Sequence, residues 1–239
     1  VNTVRDHWST DTWRVLKGME DEWDEAAKSQ LTNFRMISAL DNLITSMVAF
    51  IGLNRESISR EQGWNLLDTG RKIEQSLLLI NILQSTLTEI SNEEVEYNLQ
   101  EAVLKSHETL MNFRYKYKVH IQLPLVLELM LLDTTNPRSL IYQLERLQAY
   151  LSNLPKTKTG HSLEKHERLI LEAVTLLKLA DKDQLSKPDE TTGTYKNLEE
   201  LFTDLNTLLL AIPDVISRKY FKHAQGQKQL FASEDDTNI

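Results

Sequence analysis

The chain has 239 residues, 26% of them charged and 41% hydrophobic, a formal net charge of −8 and no cysteine. Such a length supports one large domain or two small ones without staples; the acidic balance speaks against a general nucleic-acid binder, and the missing cysteines exclude thiolate metal sites, disulfides and Cys nucleophiles. With only 7 glycines and 5 prolines, the chain is short of the turn residues a β-rich fold needs, so the expected class is all-α: a bundle of about seven or eight helices around a central buried helix.

Ser9, Thr10 and Asp11 form a capping cluster for a first helix carrying Trp13, Leu16, Met19 and Trp23. From Leu31 to Ser57 the apolar positions Met36, Leu40, Leu43, Met47 and Ile51 recur at helical steps. Ser59, with Gln62 three residues on, predicts the cap of a long helix that is apolar on every face from Leu77 to Leu83. That helix is the expected central element, and Gly63 and Gly70, seven apart on one face, would let a neighbour pack closely against it. A third helix is expected from Asn92 to Tyr117, and a short apolar one from Leu125 to Leu132 behind Pro124. Asn136 and Pro137 read as N-cap and first residue of a helix carrying Leu140, Leu144, Leu147 and Leu151. After a loop from Pro155 to Ser162 come a helix from Leu163 to Ala180, a polar loop to Thr194 and a last helix that Pro213 should kink or restart. Residues 1–224 are expected to form one helical domain, and 225–239 a polar tail that frays.

No signal peptide, transit peptide or transmembrane span is visible. Stretches such as Met47 to Leu53 fall far short of the roughly 18 apolar residues a span needs. No membrane partner is therefore expected, and a reducing, cytoplasmic setting is. The chain opens at Val1 without an initiator Met, as a piece of a longer protein would.

Charges set in apolar sequence are the candidates for chemistry. Arg71 and Glu74 share a face of the expected central helix with Trp64, and read either as a polarised site within the bundle or as a structural ion pair. Glu128 is the only charge between Ile121 and Leu132, so it must meet a cation or have its pKa raised by desolvation. The polar segment Asp133 to Ser139, with Asn136 and Arg138, is either a set of caps or a helix N-terminus that binds an anion. The run Arg114 to Lys118 alternates cations with Tyr115 and Tyr117, which suits an anionic ligand or single-stranded nucleic acid; against the net charge of −8 it reads rather as a solvated helix end whose charge complements the dipole. His161 and His166 are five apart and cannot share a helix face as a metal pair would. No zinc-helix motif, phosphate-binding loop, nucleophile elbow or dinucleotide fingerprint occurs, so neither metal nor cofactor is expected.

Four stretches in this order resemble one family, the bacterial Alpha-E domain: Val4 to Arg14; Glu56 to Trp64 continued by Leu67 to Arg71; Phe113 to Tyr117; and Leu129 to Leu140. The likeness covers nearly the whole chain. The family's first Glu-Arg motif belongs upstream of Val1. Its second resembles Gly-Arg-x-x-Glu-Arg-Ala, where this chain has Gly70, Arg71, Glu74, Gln75 and Ser76, with Gln75 standing in place of the second Arg. The resemblance implies proteins fused to, or encoded beside, circularly permuted ATP-grasp and transglutaminase-like proteins. It therefore implies an accessory or scaffold domain working with an ATP-grasp ligase-type partner in peptide or amide-bond formation or modification. Two alternatives stand beside it: an enzyme acting on an amide by acid–base chemistry through Glu74 or Glu128 with an arginine clamp, and a binding protein for a small anionic ligand. For all three, the candidate polar site is Arg71, Glu74, Glu128, Arg138, Asn136 and Trp64, expected to converge.

Overall fold

A computed structural model describes residues 8–28, 32–156 and 162–221. The expected tail, 225–239, and His161 lie outside the described residues. Ten α-helices and one π-helical turn form among those described, with no strand, so the all-α expectation holds with more and shorter helices than foreseen. The chain packs as two compact units, Val1–Trp64 and Asn65–Ile239.

The first unit is a hairpin of α1 (Thr10–Lys28) and α2 (Asn33–Ser57). The Ser9 hydroxyl accepts the Thr12 amide at 3.2 Å, and Thr32 caps α2 by accepting from Arg35. Trp8 and Phe50 stack tilted, with ring centres 5.3 Å apart. The view that no apolar stretch approaches membrane length needs correcting: by length and composition alone, α2 is long and apolar enough to cross one, with a mean hydropathy of 1.6. Counting unbroken apolar runs missed it, because between Arg35 and Arg55 the interruptions are small uncharged residues and Asp41 alone carries charge.

The next helix, α3 (Gln62–Leu87), starts after a turn at residues 60–61, later than a Ser59 cap requires. It is one-sided rather than surrounded: Leu79 and Leu83 are buried while Leu78 is 62% exposed. Nothing stands within 4 Å of a Cβ built at Gly63 or Gly70, so neither glycine serves a close approach.

The predicted third helix is two, α4 (Glu93–Ser106) and α5 (Leu110–Tyr117). Side chains competing for backbone carbonyls break it. The Ser106 hydroxyl donates to the Val103 carbonyl, and the Thr109 amide and hydroxyl both reach the Leu104 carbonyl, around Glu108 in a left-handed conformation. Then α6 (Leu123–Leu127), with Pro124 in its first turn, runs into the π-helical turn Glu128–Leu132. This is the deepest element: Val126, Leu127, Met130 and Leu131 have no exposed surface. A central buried helix is therefore present, but it is this one and not Gly63 to Leu83.

Around it pack α7 (Leu140–Ser152), α8 (Lys165–Leu179), the short α9 (Lys182–Leu185) inside the expected polar loop, and α10 (Lys196–Tyr220). A reciprocal capping box between Glu164 and Glu167 starts α8. Helix α10 continues through Pro213 without a break. Between α9 and α10 the chain turns at Gly193, whose φ of +71° suits a residue without a Cβ. That turn clasps the end of α3: Ile90 donates to the Gly193 carbonyl at 3.0 Å, and Tyr195 to the Thr88 carbonyl at 2.8 Å.

Candidate functional site

A π-helical turn inserts one residue into a helix and leaves carbonyls without their usual donors. Here the Leu129 carbonyl is met by the Asn136 side-chain amide at 3.0 Å, while the Asn136 oxygen accepts the Arg138 amide. Both ends of a buried side chain are thereby used, and Asn136 cannot cap α7. Ser139 does so instead, accepting from Tyr142 and donating to the Asp133 carbonyl at 2.6 Å. The Asn136 cap expected from sequence is thus displaced by three residues, because the π turn takes the amide first.

Glu128 opens that turn and is the centre of a polar cluster drawn from three elements. Lys182 of α9 donates to one of its oxygens, and Lys116 near the end of α5 stands 3.8 Å from the other. Lys116 also binds Asp133 at 2.9 Å, and Asp133 further accepts from the Thr135 amide and hydroxyl. The Lys182 hydrogen bond holds the Glu128 carboxyl below its ordinary pKa, and Glu128 in turn raises that of Lys182. Burial alone would raise Asp133, but Thr135 and Lys116 bring it below the usual carboxylate range. Burial, then the neighbouring Glu128 charge, hold the Tyr117 hydroxyl well above its ordinary value. Two ammonium groups balance two carboxylates, and a phenol kept protonated is a poor base. The arrangement ties α5, the π turn and α9 together.

Apart from the Asn136–Arg138 hydrogen bond, the partners found for the six residues singled out by sequence are other groups. Arg71 pairs at 3.2 Å with Asp68, one turn earlier, rather than with Glu74, which is exposed. Arg138 lies 3.6 Å from Glu108 on the surface. Trp64, in the first unit, carries the Arg60 guanidinium 3.7 Å above its ring. Glu128 and Asn136 meet the partners given above. Sequence reading missed Lys116, Tyr117, Asp133 and Lys182 as one group: the first three sat in polar runs already noticed, whereas nothing local marked Lys182.

None of the six lines either of two hollows, one in each unit. One of about 430 Å³ in the first unit is lined by Met19, Trp23, Phe34 and Leu43 together with Glu22 and Glu25. A wide one of about 930 Å³ runs past Glu93, Glu94, Glu96, Tyr97 and His120 in the second. Near the end of α10, His166 is buried against Tyr220; burial, then the Lys219 ammonium, lower its pKa. Among the described residues, no cluster of three or more acidic or histidine side chains is placed to hold a metal ion.

The chain is 31% identical over 238 residues to uncharacterized proteins of Mycobacterium bovis and of two Mycobacterium tuberculosis strains. The match covers 98% of this chain and 26% of each relative, so the chain spans about a quarter of their length. No solved structure matches it. Residues 1–221 match the family described as Alpha-E, a predicted alpha-helical domain with a conserved ER motif. The long helices, the paired charges around the Phe113 and Leu129 motifs and this match agree: the chain belongs to the Alpha-E family.

Proposed function

We propose that this Alpha-E domain is an accessory or scaffold domain that works in the cytoplasm with an ATP-grasp ligase-type partner in peptide or amide-bond formation or modification. One observation carries the non-catalytic half of this reading. Several polar side chains in or beside the family-like stretches are spent on holding the chain together around the π turn: Lys116 and Lys182 on Glu128, Asn136 on the Leu129 carbonyl, Ser139 on the Asp133 carbonyl. A catalytic acid or base needs a free edge turned to a substrate. The partnership half is supported by the family resemblance, and by relatives in which the matched region is about a quarter of a longer chain.

The test is reconstitution. The chain is purified alone and with the ATP-grasp-type protein encoded beside it or fused to it, and ATP turnover and amide product are followed. The expected result is a stable complex, product that depends on the domain, and no turnover by the domain alone. ATP turnover by the chain alone, lost in Glu128→Gln or Asp133→Asn, overturns the reading in favour of an enzyme.

A further inference from the structure

Helix α2 carries two apolar seams at heptad spacing, one residue apart in register and so about 100° apart around the helix. The first, with Met36, Leu43 and Phe50, is half-buried in the hairpin with α1. The second is Ile37, Ile44, Val48 and Ile51, exposed by 60%, 60%, 64% and 36%. Its remaining heptad positions are Asp41 and Arg55, which make no ion pair among the described residues. An apolar seam interrupted by charges at fixed positions specifies what may lie against it, since a charge buried there without its opposite is costly.

The spacing of those charges is symmetric. Asp41 and Arg55 each lie seven residues from Val48, or about 10.5 Å along the axis. Two such helices laid parallel would set Asp41 against Asp41 and Arg55 against Arg55. Laid antiparallel about a two-fold axis at Val48, each Asp41 comes level with the other copy's Arg55, and Ile44 lies within one residue, about 1.5 Å along the axis, of the other copy's Ile51. A patch that complements itself under a two-fold rotation is the requirement of an isologous interface.

We propose that α2 is the dimerisation helix of this protein, pairing antiparallel with α2 of a second copy through Ile44, Val48 and Ile51, with reciprocal Asp41–Arg55 contacts fixing the register. The self-complementary charge spacing selects a second copy over a lipid surface, which gains nothing from an acidic residue in the middle of the seam.

Sedimentation velocity on the full chain over roughly 1–100 µM reads the equilibrium. A monomer–dimer transition is expected. Val48→Glu, at a position 64% exposed and away from α1, abolishes it while leaving the helical circular dichroism intact. Asp41→Arg and Arg55→Asp singly weaken the dimer at least about tenfold by placing like charges together, and the double swap restores it. A monomer throughout, a dimer indifferent to the single swaps, a double swap that fails to restore, or flotation with vesicles of neutral and anionic phospholipid in place of self-association each overturns the proposal.

Discussion

Helix α2 of the hairpin and α7 beside the π turn are comparably apolar, with opposite outcomes. In α2, seven large apolar side chains from Phe34 to Ile51 are exposed. In α7, a helix half as long, Leu140, Ile141, Leu144, Leu147 and Leu151 are all buried. The difference is the number of neighbours. Within its own unit α2 has one helical neighbour, α1, and one shared seam, whereas α7 lies between α8 and the π turn and buries two sides. Apolar content therefore measures how much partner a helix asks for. The fold decides whether the partner lies in the same unit.

The widest gap between the regions should appear on truncation. Leu144→Ala, at a site with no exposed surface, is expected to cost about 2–5 kcal/mol, while Ile44→Ala in α2, 60% exposed, stays within about 0.5 kcal/mol at a concentration where the chain is monomeric. Urea denaturation followed by circular dichroism measures both, and equal losses would erase the contrast. The polar support of the deep element comes next: Asn136→Ala leaves the Leu129 carbonyl without its donor and should cost about 1–3 kcal/mol, read from the same midpoints.

Acid should loosen the second unit in two stages. Folding lowers the His166 pKa from 6.5, so the folded chain binds fewer protons than the unfolded one. The stability this represents is whole above 6.5 and is lost as pH falls toward the folded value. The groups facing His166 are Lys219, Glu164, Glu167 and Tyr220. The depressed carboxyls of Glu128, Asp133 and Glu167 add stability that is present above their ordinary pKa and is lost as pH falls below it. Melting temperatures against pH should show both declines, with His166→Gln removing the first and Glu128→Gln flattening the second. The smallest effect is a gain. Gly70 is an exposed helical glycine facing open space, so Gly70→Ala should stabilise by about 0.5–1 kcal/mol.

Helix existence was legible in the sequence because apolar periodicity is local, and α2, α7, α8 and α10 stand close to where their ladders put them. What periodicity does not carry is who meets whom. The Lys182–Glu128 contact joins residues 54 apart and Lys116–Asp133 residues 17 apart; no spacing rule reaches that far. The all-round apolar run Leu77 to Leu83 promised a surrounded helix, yet Leu78 faces water, because such a run records available surface rather than burial. The π turn was invisible, since an inserted residue shows only in the hydrogen bonds it displaces. Arg71 was given the wrong carboxylate because Asp68 and Glu74 are both three residues away, and only the packing of Asp68 chooses between them.

The clasp between the end of α3 and the Gly193 turn has a consequence for exchange with solvent. Its hydrogen bonds, from Ile90 to Gly193 and from Tyr195 to Thr88, join points about a hundred residues apart, and the chain between them includes the deepest helix of the unit. Closing a loop of that length costs entropy that grows only slowly with size, so the clasp holds as long as the intervening helices stay assembled. The phenol of Tyr195, whose pKa burial and Glu96 push up to about 12, donates to Glu96 at 3.1 Å and adds a third tie at the same corner. The Ile90 and Tyr195 amides therefore exchange with deuterium only when the whole second unit opens, and they serve as reporters of its global stability.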